Sequence, residues 1–184
     1  MTLPARARRV AAALAFWAGA AAADSGPAAE PQAVRAAFPE AERFESRDVL
    51  LGEEAAARLE KLARARLRER MVTFYTALRG SAVVGYAAIQ SHVVRTKRET
   101  LLVAFEPDGS IRRITVLSFL EPPEYLPSDR WLAQFRGKGT GDRLAVGDDV
   151  LPITGATLTA RGVAEQSRWL LQALQLAREK GQVR

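Results

Sequence analysis

Between residues 72 and 120 the apolar pattern has a period of two, and this alternation constrains the fold more than any other feature of the chain. In "VTFYTALRGSAVVGYAAIQSHVV", Val72, Phe74, Thr76 and Leu78 alternate with their neighbours. The chain then turns at Gly80-Ser81, and the pattern resumes from Val83 to Val94. "ETLLVAFEPDGSIRRITVLSFL" is a second hairpin, with Asp108-Gly109 at its tip as a strong turn signal. These four runs predict an antiparallel sheet.

The flanking segments read as helices. "PQAVRAAF" is a short helix with Pro31 near its first turn, stopped by Pro39. From Glu53 to Arg68, "EEAAARLEKLARARLR" places acids first and bases last, as the helix dipole favours, with Leu59, Leu62 and Leu67 on its apolar stripe. "PSDRWLAQF" is a short helix capped by Ser128, and "RGKGTGDRLAVGDD" is a glycine-rich surface loop. A last helix begins near Thr157 or Thr159 and turns Val163, Leu170, Leu171, Leu174 and Ala177 inward. The expected class is α+β: an antiparallel sheet of two hairpins with flanking helices.

The N-terminus reads as an export signal. Arg6, Arg8 and Arg9 precede the apolar run from Val10, and Ala21 and Ala23 fit a small-x-small cleavage site before Asp24. The alternative is a short retained membrane anchor. The expected division is a signal peptide at 1–23, a leader with a short helix at 24–52, and one domain at 53–184. Removing the three arginines from the 27 basic residues leaves 24 against 21 acidic ones, so much of the positive charge belongs to targeting. No aromatic–basic stripe accompanies it, and a nucleic-acid partner is not expected. The chain has no cysteine and a single histidine, His92, which excludes disulfides, CxxC zinc sites, Fe–S clusters and CxxCH haem attachment. A redox role therefore requires a bound organic cofactor, and no metal site is expected.

One short stretch stands apart. Thr154-Gly155-Ala156-Thr157-Leu158-Thr159 sits at the entrance to the last helix, and its ordinary explanation is a threonine N-cap after a glycine turn. An unactivated threonine hydroxyl is a poor nucleophile, and no His, Lys or Cys stands beside Thr157 in sequence. Such a turn suits a residue that is modified by another enzyme.

The stretch matches every position of [ST]-G-A-T-x-[ST], and here the chain resembles the FMN-binding domain family of bacterial respiratory electron-transfer subunits. That family is the kind found in the sodium-pumping NADH:quinone oxidoreductase and the Rnf complex. "GSAVVGYAAI", the Asp-Gly hairpin, Glu121-Pro122-Pro123 and "WLAQFRGK" follow the family's order, so the resemblance spans roughly residues 70 to 175. It implies a single FMN-binding domain with FMN held covalently by a phosphoester on Thr157, attached by a separate flavin transferase. Thr154, Gly155, Ala156 and Thr159 would complete the cofactor site, and the resemblance places the Glu121 turn near the flavin. Tyr86, Phe119, Tyr125 and Trp131 are candidates to pack on the ring, with plain core as the alternative for each. The family usually has Asp three residues before the motif; this chain has Leu151 there and Asp149 two positions earlier.

The implied role is an exported, periplasmic or membrane-associated flavoprotein that relays electrons between membrane or periplasmic redox proteins, rather than a stand-alone enzyme. The alternatives are a non-redox periplasmic binding or assembly module that keeps the fold, and a non-covalent FMN binder using the glycine-rich loop at 137–141 for the phosphate. "RTKR" at 95–98 reads as a solvated turn or a docking patch for an acidic redox partner.

Overall fold

The computed structural model describes residues 31–64, 66 and 69–184. The export signal and the first residues of the leader lie outside this range, as does Leu67. The elements run α1 (Gln32–Ala37), β1 (Arg43–Leu50), α2 (Glu53–Ala63), β2 (Met71–Arg79), β3 (Ala82–Val93), β4 (Arg98–Phe105), β5 (Ile111–Phe119), α3 (Asp129–Leu132) and α4 (Thr157–Glu179). The five strands form one antiparallel sheet in the order β1-β2-β3-β4-β5. The expected α+β class is what the chain adopts.

The alternation read from sequence sets the two faces. Phe74 pairs with Ala88, Ala88 with Val103 and Val103 with Ile114, a row that runs across the sheet and faces the main core. α2 and α4 cover that face, α4 contributing Val163, Leu170, Leu171, Leu174 and Ala177, the residues expected on its inner side. The opposite face carries Ala77, Ala87, Leu102 and Ala104, and α1 covers it with Val34 and Phe38. Gly85 makes that contact possible. A Cβ there would lie 2.3 Å from Phe38 Cε1 and 2.5 Å from the Phe105 carbonyl, so any side chain would lift α1 off the sheet.

Two expectations need correction. β1, expected as part of a leader, pairs with β2 along its whole length, from Arg43 opposite Leu78 to Leu50 opposite Met71. Its apolar content is too sparse to announce a strand: only Val49 is buried, and Arg43, Arg47 and Asp48 are charged and exposed, as suits a sheet edge. The expected boundary at residue 53 therefore falls inside the folded unit. α2, expected to reach Arg68, stops at Ala63, and Arg64 turns left-handed at φ 50°. Tertiary contacts override local propensity here. The Leu51 amide donates to the Arg70 carbonyl at 2.8 Å, which requires the chain to double back, and Arg168 Nε donates to the freed Ala63 carbonyl at 2.8 Å. Among the described residues no helix is long and apolar enough to cross a membrane.

Candidate functional site

The approach to α4 is held by its backbone. The Leu151 amide donates to Gln134 Oε1 at 2.7 Å, and its carbonyl accepts from Trp131 Nε1 at 2.8 Å. Trp131 is fixed in turn by an edge contact with Phe135 and by the expected Ser128 cap, whose Oγ accepts from the Trp131 amide at 3.2 Å. Gly155 then takes φ +79°, a left-handed conformation that a side chain would strain. Space is not the constraint at Gly155, because a Cβ there would meet nothing within 4 Å.

The expected threonine cap does not form. The N-cap of α4 is Ala156, with no side-chain hydrogen bond, and Thr157 is the first helical residue. The helix ladder opens with the Ala160 amide donating to the Ala156 carbonyl at 3.0 Å. The amides of Thr157, Leu158 and Thr159 thus precede the ladder and form an uncapped, positively polarised helix end. Thr157 is exposed, whereas Ala156 and Thr159 are buried.

A recess of about 280 Å³ opens at this point. Gly155, Ala156, Thr157, Leu158 and Thr159 form one wall; Glu121 and Tyr125, with Val94 and Arg95, form the other. Glu121 is not a solvated loop carboxylate. It is 7% exposed, and its Oε1 accepts from the amides of Thr96, Lys97 and Arg95 at 2.6, 2.7 and 3.1 Å. The Thr96 and Lys97 amides, followed by Arg95, outweigh the loss of solvation and hold the carboxyl below its ordinary range. The "RTKR" segment is therefore a turn pinned by Glu121, which fixes the recess wall opposite Thr157. Tyr125 closes a 3-10 turn that follows Pro122.

This set of residues can hold a group but not activate the hydroxyl. Glu121 is committed to three donors and depressed in basicity, and Arg95 carries no basic lone pair at neutral pH. Asp149, the nearest acid before the motif, is also committed. It accepts from the Ala145 amide at 2.7 Å, the Leu144 amide at 3.0 Å and Lys138 Nζ at 3.2 Å, and so pins the loop between β5 and α4. Partial desolvation raises its pKa, but these backbone and lysine partners win, and the net shift is downward.

Several candidates lie elsewhere. Tyr86 is in the core, where its hydroxyl donates to the Arg184 carbonyl and Arg178 covers its ring at 5.2 Å. Arg178 is 21 residues beyond Thr157 on one helix, about 30 Å along the axis, so Tyr86 does not reach this recess. Thr154 precedes the lining residues, and Phe119 ends β5 opposite Glu99. The glycine-rich loop lies against the middle of α4, where Gln172 donates to the Thr140 carbonyl at 3.2 Å, remote from the motif. His92 is buried beside Glu99, and no group of metal-ligating side chains occurs among the described residues. Sequence reasoning did not single out Arg95 and Val94 as recess wall, nor Gln134 as the clamp on Leu151. No local signal marks them; their roles arise only when the hairpin end meets α4.

The class of protein follows from fold and sequence together. Residues 97–172, from the end of the β3–β4 turn through most of α4, match the FMN-binding domain family. The fold is similar to that in the crystal structure of NqrC from Shewanella oneidensis, with TM-score 0.52 and 17% identity over 79% of this chain and 84% of that one. No curated protein matches the chain in sequence. At that identity the structural likeness speaks for the fold, and the family match speaks for the cofactor. Together they support an FMN-binding domain built on this fold.

Proposed function

We propose that this chain is an exported electron-transfer flavoprotein whose FMN is joined by its phosphate to Thr157. The observation that carries the reading is the exposed Thr157 hydroxyl at an uncapped helix end, inside the segment that matches the family. The residues fit a phosphate monoester becoming a diester. The first amides of α4 and the helix dipole favour its negative charge, and the left-handed turn at Gly155, with open space beside it, leads into that helix end. Glu121 acts at one remove by fixing the 95–97 turn, and Thr159 and Tyr125 line the space beside the attachment point.

FMN, when bound, supplies one- and two-electron redox chemistry. The chain itself positions that group and presents it to partners. Because the recess holds no free base, attachment requires a separate flavin transferase acting on FAD. In that step the Thr157 Oγ1–P bond forms as the diphosphate P–O bond breaks. AMP leaves with the electron pair, and the hydroxyl proton passes to a base on the transferase. Membrane or periplasmic redox proteins are the proposed electron partners, and the segment 1–23 is the proposed export signal.

The test is intact mass followed by peptide mapping of protein purified from its own host. The expected result is one FMN-phosphoester increment on the peptide containing Thr157 and a mature start at Asp24. An unmodified mass, or an increment on another residue, overturns the attachment site.

A further inference from the structure

A cleft of about 190 Å³ lies at the middle of α4, where three segments meet: the left-handed turn that ends α2, the glycine-rich loop and α4 itself. Each brings one arginine to the wall, Arg64, Arg143 and Arg168 in that order. Asp142 is the one acid lining it, and its Oδ2 already accepts from the Gly139 amide at 2.8 Å.

The half-buried Arg168 is aimed by backbone. Its Nε donates to the Ala63 carbonyl at 2.8 Å, and its Nη1 donates to the Leu144 carbonyl. Its Nη2 has no acceptor among the described residues and is not sealed off from solvent. Arg143 pairs with Asp148, but no carboxylate of a described residue lies within ion-pair distance of Arg168 or Arg64. Capping the end of α2 explains Nε of Arg168. It explains neither the unused Nη2 nor the two further arginines gathered beside it. Loss of solvation most disfavours the Arg168 cation; Glu165 offsets part of this, and Arg64 adds repulsion. An anion in the cleft would relieve both penalties.

The loop adds donors of a second kind. Gln172 Nε2 donates to the Thr140 carbonyl at 3.2 Å and so ties the loop to α4. The amides of Thr140 and Gly141 have no acceptor among the described residues, and free backbone amides in such turns favour anions. A carboxylate offers two oxygens. A phosphate group offers at least one more acceptor oxygen to share among donors from three elements, and guanidinium forks match it. The cleft is smaller than the roughly 300–1,000 Å³ of pockets for drug-sized ligands, which suits one such group rather than a flavin ring.

We propose that this cleft binds the phosphate group of a soluble phosphate ester or of a lipid headgroup, with Arg64, Arg143 and Arg168 sharing its oxygens. The site stands apart from any group carried on Thr157.

The test is NMR on the flavin-free full chain, titrated with inorganic phosphate and, at matched ionic strength, with chloride. The expected result is saturable shifts of the Thr140 and Gly141 amides and of Arg168 Nε–H with phosphate but not with chloride. Arg64 is exposed and makes no ion pair to a described residue, so Arg64→Ala should fold and bind about tenfold more weakly. Arg143→Ala is the second variant, and it should weaken binding in the same direction. Equal shifts with chloride, shifts confined to residues 157–159, or undiminished affinity in both variants overturn the proposal. Vesicles of phosphatidylglycerol in phosphatidylcholine then separate the two sources. Cosedimentation that both variants weaken assigns a lipid headgroup; its absence, or its persistence in both, assigns a soluble ester.

Discussion

The Cβ that Gly162 lacks would lie 2.6 Å from Nε2 of His92, so the glycine in the second turn of α4 is matched to an imidazole on β3. Glycine inside a helix costs about 1 kcal/mol relative to alanine, and here the close approach of helix and sheet offsets it. Gly162→Ala would recover that propensity but push the imidazole off Glu99, a displacement worth about 1–3 kcal/mol as overpacking. The imidazole is buried, packed between this helix and its own strand. The expected net effect is a loss of about 1 kcal/mol, read from the denaturant midpoint. A variant as stable as the parent would show that the ring yields freely.

Attachment and folding should separate at Thr157. The residue is exposed and is not the helix cap, so Thr157→Val should change stability by no more than about 0.5 kcal/mol. Flavin fluorescence after denaturing electrophoresis should vanish in the same variant. Retained fluorescence would place the flavin on a different side chain, whereas a large loss of stability would reveal a structural role for the hydroxyl.

Glu121 should make the recess sensitive to acid. Its folded-state pKa is lowered, chiefly by the Thr96 and Lys97 amides. Its stabilising contribution is therefore complete above the ordinary glutamate range and is lost as pH falls through the lowered value. Hydrogen-exchange protection of the Thr96 and Lys97 amides should decline across that window. Glu121→Gln keeps the shape without the charge and should remove the pH dependence. Equal dependence in both proteins would assign it to a different group.

Asp149 and Leu151 should divide structure from recognition. Asp149→Ala leaves two backbone amides and Lys138 without their acceptor and should cost about 1–3 kcal/mol, with the change localised to residues 138–150 in exchange measurements. Leu151 is 70% exposed on a backbone clamped from both sides, where the resembling family carries an aspartate. Leu151→Asp should speed flavin transfer by the transferase without loss of stability. An unchanged transfer rate would mean that the enzyme does not read this position.

The alternation in β2 to β5 was legible because a half-buried sheet enforces a period of two, and the Asp108-Gly109 turn behaves as its residues dictate. Asp108 Oδ1 accepts from the Ser110 amide at 2.8 Å, and Gly109 takes φ +94°. β1 was illegible because an edge strand with one buried residue has no pattern to show. The Thr154–Thr159 motif was readable, since its residues are contiguous. Its surroundings were not: Tyr86 shares β3 with His92, yet the strand carries one toward the end of α4 and the other beneath its first turns. Sequence gives a residue's face on a strand, but its distance from a helix end depends on how the two elements cross.

The order of the strands has a temporal consequence. Each strand pairs with the one made just before it, so the sheet can zip up as the chain emerges. Its main apolar face nevertheless stays only partly covered, by α2, until α4, the last of the described elements, arrives. The turn proposed to carry the cofactor is the leading edge of that same helix. A transferase that reads the turn in its folded shape would therefore load cofactor only onto molecules whose core is already closed, so the modification would serve as a checkpoint on folding.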